Sequence, residues 1–152
     1  MMNMASGEIS VMAPGDGTVL EYVVLNKAFK LCDLEDLISL SSHNEFFFSP
    51  VDGEVTNISR EDGIIEIKVN DEVDIIVSTH INKNIKSVEP MIDIGGNVLT
   101  GQPLMYFEKE DDYDLPITVA IKKSNSILRL VKSKNKNILV NELIMKLNLN
   151  LN

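Results

Sequence analysis

Residues Phe46 to Lys68 read FFFSPVDGEVTNISREDGIIEIK, and this stretch decides the fold. Three Phe lead into a Pro-x-Asp-Gly turn at Pro50–Gly53, after which Glu54-Val55-Thr56-Asn57-Ile58 alternates polar and apolar. Asp62-Gly63 turns the chain again, and Ile64 to Val69 resumes an apolar-rich run. Asp-Gly between alternating runs is a strong hairpin signal, because Gly accepts the positive φ that tight hairpin turns need. The turn has a second copy. Ala13-Pro14-Gly15-Asp16-Gly17-Thr18-Val19 matches Ser49-Pro50-Val51-Asp52-Gly53-Glu54-Val55, with the prolines 36 positions apart. Two copies of one turn-plus-strand predict a fold built from two related halves.

The same texture extends in both directions. Strands are expected at Glu8–Met12, Thr18–Leu25, Phe46–Ser49, Gly53–Ser59, Ile64–Val69, Asp74–Thr79, Leu104–Glu108 and Ile117–Lys122, with an alternating tail from Asn137 to Leu149. Ala28–Leu40 reads as a loop with a strand at its end, Ser41–Asn44 as a turn, Asn82–Ser87 as a polar connection, and Ser126–Lys132 as a short helix or strand. Many short strands separated by Gly, Pro, Asn and Asp point to an all-β sandwich or barrel with only short helical turns. Residues 1–7 read as a flexible start, and 8–152 as one domain.

Composition narrows the partners. A chain of 152 residues with 44% hydrophobic and 24% charged residues can bury a proper core. Its net charge of −9 disfavours nucleic acid and anionic membrane surfaces. Lys132, Lys134 and Lys136 form the exception, read as a solvated turn. Cys32 is the single cysteine, which rules out an intramolecular disulfide and a cysteine zinc site and fits a reducing compartment. Residues 1–12 lack the pattern of a signal peptide, and no apolar run approaches a membrane span. A cytoplasmic protein without cofactor is expected.

The ordered set of motifs resembles the glucose-type enzyme IIA domain of the bacterial sugar phosphotransferase system, over roughly Glu8 to Leu147. The family's Ala-Pro-x-x-Gly turn is matched at Ala13–Gly17, and its Ala-Pro-Val-Asp-Gly turn at Ser49–Gly53. Its Gly-x-x-Val-x-x-Gly-x-Pro-Leu-x-x-Phe element is matched by Gly95/Gly96, Val98, Gly101, Pro103, Leu104 and Phe107. Pro116 to Asn125 and Val140-Asn141-Glu142-Leu143-Ile144 echo the closing elements. The resemblance implies an antiparallel β-sandwich of two interlocked halves, a duplicated hybrid motif. It also implies a phosphocarrier protein or sugar permease domain as partner.

The departures concern the chemistry. The family relays a phosphoryl group on one of two histidines from adjacent strands. The first sits ten residues after the turn glycine, where this chain has Gly63; the second, fifteen further on, falls at Ser78. The Gly-Asp-Gly stretch of the family's first half is Glu35-Asp36-Leu37 here. Relay needs a nitrogen nucleophile, because phosphohistidine is a high-energy phosphoramidate that passes its group on; Gly63 offers nothing and Ser78 would trap a stable ester.

His80 is the remaining candidate. It projects from the same strand face as Ser78, and a two-residue insertion would bring it into the acceptor slot. It could equally face solvent or contact a ligand or metal, with Asp62, Glu66 and Asp74 as possible further ligands. His43 reads as a surface-turn residue, Phe46–Phe48 as core plus edge, and Lys109–Asp114 as a solvated acidic loop. The functional expectation is therefore a IIA-like module that has lost its relay and kept a docking face around Ile64, Ile65, Val77, Ser78 and His80. The alternative is an active phosphoryl carrier using His80. A biotinyl or lipoyl carrier is disfavoured because Lys68 lacks the flanks of a modified lysine. Zinc peptidase chemistry on a related scaffold needs more histidines than His43 and His80.

Overall fold

Alternation and turn chemistry produce strands throughout. The computed structural model describes residues 6–24, 26, 29 and 33–150. In chain order its strands are β1 (Ser6–Met12), β2 (Gly17–Val19), β3 (Leu34–Ser42), β4 (Phe46–Phe48), β5 (Gly53–Ser59), β6 (Ile64–Lys68) and β7 (Asp74–Thr79). They continue as β8 (Ile85–Pro90), β9 (Asn97–Val98), β10 (Pro103–Lys109), β11 (Leu115–Lys122), β12 (Ile127–Lys132), β13 (Asn137–Ile138) and β14 (Leu143–Asn150). There is no α-helix among the described residues. The expected all-β antiparallel class is what forms.

The two halves are related by an approximate two-fold. The large sheet runs β13-β2-β3-β11-β7-β6-β5-β9, an order that maps onto itself when the halves are exchanged. The axis passes between β7 and β11, where Val77 faces Val119. Two smaller sheets, β1-β14-β12 and β4-β10-β8, are mates in the same sense. The duplicated proline turns meet at the centre. Met12 N donates to Pro50 O and Phe48 N donates to Pro14 O, both at 2.8 Å. The turn carboxylates are mates too: Asp16 Oδ1 accepts from Val140 N and Asp52 Oδ1 from Thr100 N, each at 2.7 Å.

Those contacts correct the hairpin reading of two of the three Asp-Gly steps. Only Asp62-Gly63 is a hairpin turn, joining β5 to β6 with Gly63 at φ +68°. Gly17 and Gly53 instead sit where two backbones nearly touch. A Cβ on Gly17 would lie 1.9 Å from Ser41 O, and one on Gly53 2.6 Å from Lys68 O. These glycines are required by close approach, not by positive φ.

Period-2 alternation sends one side of the large sheet into the main core, where Ile65, Ile67, Ile75, Val77, Ile117, Val119 and Ile121 meet Phe47 and Phe107. Phe47 is fully buried edge-on to Phe107 at 5.3 Å, while Phe46 rests half-buried on Tyr106. Several boundaries differ from expectation. β1 begins at Ser6, whose backbone pairs opposite Asn150. β3 runs through Ser42, so the turn is confined to His43–Glu45. β8 occupies Ile85–Pro90, where a polar connection was expected. It is an edge strand, so only Ile85 and Val88 contribute to the core and its other positions can be polar. β2 ends at Val19 instead of Leu25, and beyond it Leu20 N and Val24 N donate to Ser39 of β3. Cys32 lies outside the described residues.

Candidate functional site

The outer face of the large sheet carries the two positions at which the resemblance places histidines. Ser59 Oγ donates to Asp62 Oδ2 and accepts from Asp62 N, closing the β5–β6 turn. Gly63 ends that turn, and its carbonyl accepts the amide of Thr79 at 3.0 Å. One step on, Ile64 stands opposite Ser78 in the β6–β7 ladder. Gly63 thus sits in the turn just before β6, and Ser78 lies on the neighbouring β7. A Cβ at Gly63 would meet Ile81 Cδ1 at 2.9 Å and Thr79 O at 3.0 Å, on a backbone that side chains rarely adopt. A side chain in the first slot would have to displace Ile81 and strain the turn.

Ser78 is only 1% exposed. Described residues of the chain between β2 and β3 bond to the strands around it. Leu20 N donates to Ser39 O and Val24 N to Ser39 Oγ. Thr118 Oγ1 donates to Val24 O at 2.8 Å, which leaves the Ser39 hydroxyl to donate to Thr118 Oγ1 at 2.6 Å. Asn26, itself buried, donates through Nδ2 to Asp62 O and Thr79 O, the carbonyls flanking the two slots. Phe29 and Leu37 pack on a second apolar cluster of Leu34, Ile64, Ile76 and Ala120. Burying each large aliphatic side chain there contributes about 1.5–3 kcal/mol.

The expected docking residues separate accordingly. Ile65 and Val77 are fully buried in the main core and offer nothing to a partner; this corrects their placement on the surface. Adjacent strand residues face opposite sides, so Ile64 and Ile65 cannot share a face. Ile64 is 7% exposed and lines a cleft of about 320 Å³ with Leu34, Ile76 and Phe29 as its apolar wall. Its rim carries Asp33, Asn57, Ser59, Asp62, Glu66 and Lys122. Lys122 Nζ donates to Glu66 Oε1 at 2.6 Å, and that bond, opposed by partial burial, holds the ammonium pKa above its usual value. Burial, and then the neighbouring Glu66, raise the Asp74 carboxyl above the ordinary carboxylate range.

His80 follows the last residue of β7 and is exposed. It borders a shallow pocket of about 140 Å³ shared with Asn26, Glu61, Asp62 and Ile81. His43 is also exposed, with Nδ1 2.6 Å from Asp114 Oδ1. Among the described residues no three His, Cys, Asp or Glu side chains gather as metal ligands, and Asp62, Glu66 and Asp74 do not converge. Sequence reasoning missed Asn26, Leu34 and Lys122. Nothing local marks the Asn26 side chain, whose donations to Asp62 O and Thr79 O reach 36 and 53 residues along the chain.

No protein-family model matches the chain, and no curated protein matches it in sequence. Among solved structures it is similar to the glucose permease IIA from Mycoplasma capricolum. The likeness covers 95% of this chain and 99% of that one, with a TM-score of 0.69 and 16% identity. At that identity the likeness establishes the fold: a two-half, all-β IIA architecture over essentially the whole chain.

Proposed function

We propose that this chain is a glucose-type IIA homologue that no longer relays a phosphoryl group and acts in the cytoplasm as a protein-binding or regulatory module. Its partner would be a phosphocarrier protein or a sugar permease domain. The fold shared with a glucose permease IIA supports the family side of this reading. No helix among the described residues is long and apolar enough to cross a membrane, which is compatible with a partner supplying any membrane component.

The observation that carries the loss of relay is the state of the two slots. Gly63 lies where an added Cβ would meet Ile81 and Thr79 O, and Ser78 is buried. Neither supplies a nitrogen nucleophile. The docking face would be the cleft bounded by Leu34, Ile64 and Ile76 and rimmed by carboxylates, with His80 beside it.

The active alternative rests on His80, an accessible imidazole two residues from Ser78. There an imidazole nitrogen would attack the phosphorus of a donor phosphohistidine; one N–P bond forms as the donor's breaks, and the donor imidazole leaves. Its pocket argues against this. Glu61 and Asp62 share it, and their carboxylates would repel an incoming phosphoryl group.

Incubation with phosphoenolpyruvate, enzyme I and the phosphocarrier protein, followed by intact mass spectrometry, tests the reading. The expected result is no acid-labile phosphoryl adduct. An adduct that disappears in His80→Ala overturns the loss of relay and establishes the active carrier.

A further inference from the structure

We draw no further inference here: the strongest candidate, the pair of grooves at the two edges of the large sheet where the exposed side chains of Leu99 and Leu139 stand beside β9 and β13, carries nothing because nothing in the structure shows what covers it.

Discussion

The Gly63 carbonyl accepts the Thr79 amide at 3.0 Å while Gly63 itself holds φ at +68°. This one bond joins the hairpin turn to the end of β7, next to Ser78. Introducing a histidine at Gly63 is therefore not a simple exchange. Gly63→His places a Cβ against Thr79 O and Ile81, in a region disfavoured for side chains, and should cost about 1–3 kcal/mol. Urea denaturation of the variant checks it. A midpoint equal to the parent's would show that the turn relaxes freely and that the slot is open after all.

Gly17 and Gly53 are mates across the approximate two-fold, and each is pressed against a backbone carbonyl. Gly95 is the contrast: its φ is +89°, but nothing lies within 4 Å of an added Cβ. Alanine at Gly95 should cost about 1 kcal/mol, from conformation alone. Alanine at Gly17 should cost more, at least about 2 kcal/mol, because strands β2 and β3 must separate to admit it. Gly53→Ala should fall between or match Gly17→Ala. The ranking is read from denaturation midpoints; Gly95→Ala emerging as the most harmful would refute the close-approach account.

Much of this architecture was legible because its signals are local. Proline turns, Asp-Gly steps and alternation place most strands, and the duplicated Pro14 and Pro50 turns announce two halves that then prove to hydrogen-bond each other. The site was less legible for two physical reasons. Strands such as Ile75-Ile76-Val77 are apolar on both faces, so the sequence gives their parity but not which parity faces outward. Ile65 and Val77, of opposite parity to Ile64 and Ser78, were grouped with them on one surface and lie in the core instead. Val24 and Asn26 bond to residues far along the chain, which no local pattern reports.

Asn26 offers a direct test of how those distant contacts are held. Its side-chain amide spans Asp62 O and Thr79 O, and Asn26→Ala removes both bonds without adding bulk. The expected loss is about 1–3 kcal/mol, since buried carbonyls lose a donor. Faster hydrogen exchange should be concentrated at Val24, Thr79 and Ser78, because the segment over the outer face loosens before the core does. Uniform acceleration across the large sheet would instead mean that the segment is no separate unit.

Asp74 gives the stability of this protein an unusual acid dependence. Burial and the neighbouring Glu66 raise its folded pKa above the ordinary 3.8, against the opposing pull of Lys122 and Lys68. The folded state therefore favours the protonated carboxyl. Its contribution is fully present below pH 3.8 and is lost as pH rises through the raised folded value. Above that window the ionised carboxylate works against folding. Asp74→Asn, which keeps the shape and removes the charge, should raise the urea midpoint at neutral pH, and the gain should vanish below pH 3.8. Lys122 has the complementary sign: its raised pKa means that its pairing with Glu66 stabilises the fold at neutral pH and is lost only in alkali, above 10.5. A neutral-pH loss in Asp74→Asn would show that the carboxylate acts as a partner to the lysines and not as a burden, reversing the order in which burial and attraction act at this position.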